Sequence, residues 1–459
     1  MSRYDPSETS YLCFARARRE FQDGRSDPRS FLEHCIERIE AREPEVRAFA
    51  SLDIAAARRA ADASALRYAA GRPLSLVDGL PVGIKDLFET EDLPTEMNSA
   101  YFKGWQANRD AAHVFALRRG GALIVGKTVT TELGMAAPGP TRNPWDLRRT
   151  PGGSSSGAAA AVAAGMLPVA SGSQVRGSIV RPASLCGVIG NKPTFGALHP
   201  GGGFGGTPSA GHVGMLAGSL VDCWQVTHYI ANTVGGAPGH PGLYGGPTLP
   251  PPRRPRRLAR QYTIGWDKTD EASQVAFDAF LDRLRAAGVE IVEPRGDADF
   301  ASYEKLTCDA NQVLFDIMAW EGRWPLLYVG ERRPQDHGPN VLGPLERTRR
   351  MTLDEYRVAL GRREQLRAAH RALAGRVDGF ITLAHIGPAQ FGLPPVGTPW
   401  YNDASSVVGA PTYNLPLLAI QDVPLGVQLM GFEHGDEDLT AVARWMLDAL
   451  GAAAAVGEV

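Results

Sequence analysis

Apolar positions along this chain follow two periods. Between residues 271 and 287, Phe277, Phe280, Leu281 and Leu284 fall three or four apart, with Asp270 before and Gly288 after. That spacing predicts a helix signalled at both ends. Residues 29–42 and 51–70 read as further amphipathic or alanine-rich helices, and a helix over 111–119 is expected to begin at Asp110. The alanine run 158–164 is a strong helix former, with Ser and Gly before it to cap the first turn. Short apolar stretches at 82–84, 123–125, 166–170, 291–292, 380–383 and 427–430 read as strands. Strands alternating with helices predict one α/β domain. Its expected centre is a mixed, mostly parallel twisted sheet flanked by helices.

Composition narrows the function classes. Forty-eight Lys and Arg against fifty Asp and Glu give a net charge of −2. No global field then draws the 459-residue chain to nucleic acid or an anionic membrane. The uncharged runs 150–175 and 193–221 are broken by Pro, Gly and Ser, which excludes a membrane helix. Five scattered cysteines without a CxxC argue for a reducing compartment and against a disulfide framework or zinc site. The start MSRYDPSETS lacks a signal-peptide pattern, so a cytoplasmic location is expected. The segment 246–260 (GPTLPPPRRPRRLAR) reads as an extended surface linker, with a basic patch as the alternative, and 452–455 as a fraying helix end.

Three segments stand out chemically. Lys85 ends the stretch GLPVGIK, where apolar neighbours can bury the amine, lower its pKa and make it a base. Residues 151–157 (PGGSSSG) precede the alanine helix, and either cap it or bring backbone amides to a ligand. Residues 171–178 (SGSQVRGS) follow the 166–170 strand. GLPVGIKD, PGGSSSGAAAAVAAG, GSQVRGSIVRPASLCGV and NKPTFG, in that order, resemble the amidase signature family, and the similarity covers nearly the whole chain. PTEM at 94–97, GWQ at 104–106, Gln174 and Arg181 resemble its malonamidase-like branch. The resemblance divides the single domain into an N-terminal helical part (1–75), a signature core (76–230) and, beyond the Pro/Arg segment, the rest of the sheet and helices (261–459).

What the resemblance implies is a Ser-cisSer-Lys amidase. Ser178 would be the nucleophile, Ser154 the bridging serine behind a cis peptide, and Lys85 the base. The backbone amides of Val175, Arg176, Gly177 and Ser178 would form the oxyanion hole. Arg181 would either hold a substrate carboxylate, with Arg176 a second cation, or tie down its own loop through backbone carbonyls. The implied substrate is a small carboxamide, cleaved to acid plus ammonia or amine through an acyl-enzyme, with no metal or cofactor. The expected partners are that substrate and a second copy in a homodimer, with neither nucleic acid nor membrane. The family also contains subunits that release ammonia from glutamine for a partner, so the alternative is one component of an amidotransferase. Val175 and Arg176 replace a usual threonine and a near-invariant glycine, so altered specificity or impaired catalysis are both open.

Other candidates are weaker. Residues 153–157 match GxSxG, which would make Ser155 an esterase nucleophile, but no hydrophobic strand precedes them. Gly201 to Gly206 match GxGxxG after a proline rather than a strand, so no nucleotide site is expected. His385 and Cys186 read as structural. Regions 130–150 and 300–345 are expected to wall the pocket, with Trp320, Trp324 and Tyr328 as aromatic surface.

Overall fold

The computed structural model describes residues 3–457. Eleven strands form one sheet: β1 (Phe49–Leu52), β2 (Pro81–Lys85), β3 (Leu123–Thr128), β4 (Val169–Gln174), β5 (Ile189–Lys192), β6 (His212–Ala217), β7 (Arg257–Arg260), β8 (Glu290–Val292), β9 (Gly379–Leu383), β10 (Thr412–Ile420) and β11 (Val423–Met430). Their order is β1-β3-β2-β4-β6-β5-β10-β11-β9-β7-β8. The sheet is mixed, and helices flank it as expected. Its parallel pairs, however, are only β2–β3, β2–β4, β7–β9 and β7–β8, and the other six are antiparallel. The strands missed in the sequence are the reason. β10 and β11 form a hairpin whose register runs from Ile420↔Val423 outward, and β5 and β6 pair antiparallel beside it.

Several boundaries moved. The expected helix over 51–70 divides into the edge strand β1 and helix Ile54–Ala69, capped by Asp53 on Ala56 N. Helix Ala112–Arg119 is not begun by Asp110, whose carboxylate instead pairs with Arg118 at 2.8 Å. Helix Glu271–Ala286 does begin at Asp270, which accepts from Ser273 N at 2.9 Å. The Pro/Arg segment is no linker at its end, since its last four residues are β7. Arg253 pairs with Asp378, which also accepts from the backbone of Arg256 and Arg257. Strap-like docking therefore replaces a free basic patch.

Alternation along β2 decides where the chemistry sits. Val82 and Ile84 enter the large core shared with helices Ala112–Arg119, Leu220–Val234 and Glu271–Ala286. With a period of two, Gly83 and Lys85 point to the opposite face. There the short helices Ser156–Ala163 and Val180–Cys186 pack, through Ala158, Ala159, Val162 and Ala183, against Ala170 and Leu216 of the sheet. Gly157 lets the first helix approach closely: an added Cβ would lie 2.1 Å from Ala48 O and 2.4 Å from Val129 N. Both are backbone atoms and cannot swing aside. We predict that Gly157→Ala lowers stability by about 1–3 kcal/mol, seen as a lower denaturation midpoint, whereas an unchanged midpoint would mean this contact is loose.

Candidate active site

The carboxyl ends of the parallel strands β2 and β4 lie side by side, and the candidate residues gather there. Lys85 is the last residue of β2 and fully buried. Its backbone N donates to Ser171 Oγ at 3.1 Å, and its Nζ lies 2.7 Å from Ser154 Oγ, 2.9 Å from Ser155 Oγ and 3.0 Å from Ser173 Oγ. All these partners are neutral hydroxyls. No carboxylate among the described residues pairs with the amine, so burial drives the Lys85 pKa well below its ordinary value, and nearby Arg181 pushes the same way. The N-terminus of helix Ser156–Ala163, which follows Ser155 directly, also disfavours a cation here. Lys127, buried on the neighbouring strand, shows the contrast: Asp86 lies 3.1 Å from its Nζ and offsets part of the same desolvation.

The peptide between Gly153 and Ser154 is cis. Its carbonyl, Gly153 O, accepts from Arg181 Nε at 2.9 Å and Nη2 at 2.7 Å, while Arg181 Nη1 donates to Gly397 O. The Arg181 guanidinium is buried and engaged by backbone, which lowers its pKa to about 9 through desolvation, with Arg176 as a further cause. Each of its three nitrogens thus has a backbone acceptor, while the residue also lines the cavity described below. Ser155 N donates to Ser178 O at 3.2 Å and ties the two serine loops together. Ser178 and Ser154 both line a cavity of about 460 Å³, although their hydroxyls form no hydrogen bond with each other. The amides of Val175, Arg176, Gly177 and Ser178 bond to no protein acceptor among the described residues, so they are available to an oxyanion.

The two departures at 175 and 176 are accommodated locally. Val175 packs against the core formed by Ala210, Ile317 and Val407. Arg176 does not take a left-handed conformation, and its guanidinium turns to the buried Asp403 with contacts of 2.8 and 2.6 Å. The loop is held from below: Gln174 Oε1 accepts from Ile179 N and Val180 N, and Ser406 Oγ donates to Arg176 O at 2.7 Å. A Cβ on Gly177 would lie 2.4 Å from Asn402 Oδ1, so the loop packs here with no room to spare.

The Amidase family model matches residues 30–384. The chain belongs to the Amidase family. It is an amide-hydrolysing enzyme of the amidase-signature type. Among curated relatives, the A subunit of the glutamyl-tRNA(Gln) amidotransferase from Chloroflexus aggregans is 28% identical, over 95% of this chain and 96% of the relative. The Roseiflexus castenholzii protein of the same name is 41% identical over 48% of this chain and 46% of its own length. A solved structure described as an amidase superposes with a TM-score of 0.84 at 27% identity, covering 96% of this chain and 100% of that one. These matches do not distinguish a malonamidase-like branch from the rest of the family.

Other expectations are corrected by the cavity wall. Trp320 stacks on Tyr356, while Trp324 and Tyr328 are solvent-exposed, and none of the three lines the cavity. Phe88, Phe204 and Phe315 do. The regions 130–150 and 300–345 contribute through Leu133, Met135, Met318 and Leu326. Residues 203–206 of the glycine run are part of the wall, a role its sequence does not suggest; its position after NKPTFG is the available signal. Ser155 is fully buried against Lys85 and faces away from the cavity, which removes the esterase reading. His385 is buried with Nδ1 on Gly387 O, and burial lowers its pKa to about 4. Cys186 lies in the core. Among the described residues no group of three or more His, Cys, Asp or Glu is placed to hold a metal, and no helix is long and apolar enough to cross a membrane.

Because Arg181 holds the Gly153 carbonyl, Arg181→Ala should displace Ser154 and lower kcat by about 100-fold. The loss should be equal for a neutral and a carboxylate-bearing amide. A distinctly larger loss on the carboxylate-bearing one would restore the role of substrate anchor.

Proposed function

We propose that this chain hydrolyses a carboxamide through Ser178, Ser154 and Lys85. The carrying observation is the fully buried Lys85 amine surrounded by hydroxyls, with Ser154 at 2.7 Å and open to the cavity that Ser178 shares. A neutral amine accepts the Ser154 proton, and Ser154 in turn takes the proton of Ser178 as its Oγ attacks the amide carbon. The amides of 175–178 receive the developing oxyanion, each donor contributing about 3 kcal/mol. Collapse breaks the C–N bond, and Ser154 returns a proton to the leaving nitrogen. Water then attacks the acyl carbon, releases the acid and restores the Ser178 hydroxyl. The apolar wall of Phe88, Phe204, Phe315 and Leu326 favours an amide with an apolar group over the carboxylate-bearing one expected from sequence.

A second reading, the ammonia-releasing component of an amidotransferase, rests on the curated relatives, and by those names it is the better supported. The apolar cavity supports the first, since glutamine carries two charges that such a wall does not match. Release of ammonia or amine from a panel of amides by the purified chain decides between them. Turnover of apolar amides without a partner is expected; turnover of glutamine alone, or only with added partner subunits, would establish the second reading.

The pKa of Lys85 sets the pH dependence. Its amine is neutral above its lowered pKa, so kcat/KM should already be high well below the ordinary lysine pKa and fall as acid protonates the amine. Lys85→Met and Ser178→Ala should each lose at least about 1,000-fold. An activity that rises only near the ordinary lysine pKa would contradict a neutral base.

A further inference from the structure

Resting on the amide-hydrolase reading, we propose that Arg176 and Asp403 are a specificity-determining pair that selects neutral aryl amides. Arg176 stands two residues before Ser178, within the loop whose amides face no protein acceptor among the described residues. Its Nε and Nη2 bond both Asp403 oxygens, and Asn311 Nδ2 donates to the same carboxylate at 3.0 Å. The guanidinium also lies over the Phe315 ring, with its carbon 4.2 Å from the ring centroid. One cation thus ties two parts of the wall, the 175–178 loop and helix Ala310–Glu321, to helix Asp403–Val408 behind them.

Two consequences follow for a substrate. First, every arginine on the cavity wall is engaged by protein groups: Arg176 by Asp403, Arg181 by backbone carbonyls, and Arg347 by Asp316. A carboxylate entering this space would lose its hydration, find Arg176 and Arg347 already neutralised by carboxylates, and find Arg181 with its three nitrogens turned to backbone carbonyls. Second, Phe315 is 45% exposed although it lines the cavity, and the guanidinium holds it in place by stacking. A flat ring next to a planar cation, close to the nucleophile, suits an aromatic acyl or amine group. Met318 and Phe204 extend this apolar surface.

The experiment compares benzamide, acetamide and malonamate in the wild type, Phe315→Ala, Arg176→Gly and Asp403→Asn. Each variant is first checked for an intact melting transition. In the wild type kcat/KM for benzamide should exceed that for malonamate by at least about tenfold. Phe315→Ala, a change at a half-exposed position, should lower benzamide turnover about tenfold and acetamide turnover far less. Asp403→Asn frees the guanidinium, and the malonamate-to-benzamide ratio should rise about tenfold. Arg176→Gly should abolish the aryl preference. Calorimetric binding of benzamide to Ser178→Ala, with and without Arg176→Gly, gives a readout independent of turnover, and about tenfold weaker binding is expected. An active enzyme whose ratios do not move in these variants overturns the inference and leaves amide hydrolysis standing. A wild type that cleaves no amide overturns the hydrolase reading; Arg176-dependent benzamide binding would then still uphold the aryl site, and Arg176-independent binding would overturn it as well.

Discussion

An amine with no counter-charge is the constraint around which the rest of this structure is arranged. On the neighbouring strand a buried carboxylate, Asp86, lies 3.1 Å from the Lys127 amine and offsets part of its desolvation. At Lys85 the neighbours are three serine hydroxyls, which can bond a neutral amine but cannot repay the hydration lost by a charged one. Burial therefore disfavours the ammonium form of a side chain that is ordinarily a cation, which is what the proposed proton acceptor requires. The same burial imposes a geometric condition, because hydroxyls from the 154–155 loop and from strand β4 must meet one nitrogen.

The fold meets that condition with parallel strands and close-packed glycines. β2 and β4 run side by side, with Gly83 level with Ala170, so Lys85 and the serines of β4 lie at the same end of the sheet. Helix Ser156–Ala163 approaches the backbone of Val129 through Gly157, which brings Ser154 and Ser155 over the amine. Arg181 fixes the carbonyl before Ser154, and Ser155 N bonds the carbonyl of Ser178. Position is thus set by backbone contacts, while the side chains remain available for proton transfer.

Much of this was legible in the sequence, for identifiable reasons. Capped amphipathic helices such as Glu271–Ala286 carry signals at both ends, and the Gly/Ser segments around Ser154 and Ser178 have too unusual a composition to be overlooked. The hairpin of β10 and β11 was half missed, because its strands are buried on both faces and show a continuous apolar run instead of alternation. β1 was hidden inside an alanine-rich stretch whose helix propensity continues past the strand boundary. At the site, the partners of Arg176 and Arg181 could not be read locally. Asp403 is 227 residues from Arg176, and Gly397 is 216 from Arg181. A cation's charge is visible in sequence, but whether it is already paired is a property of the tertiary structure. The same holds for Trp324 and Phe315, whose exposure and orientation, not their ring chemistry, decide which one meets a ligand.

The central claim is that a neutral Lys85 activates Ser178 through Ser154. Its most direct test is the rate at which a fluorophosphonate labels the protein, followed by mass spectrometry across pH in the wild type and in Lys85→Met. The account predicts adduct on Ser178, fast at neutral pH, slowing as acid protonates the amine, and nearly abolished in Lys85→Met. Labelling of another residue, or equal rates with and without the lysine, would contradict it.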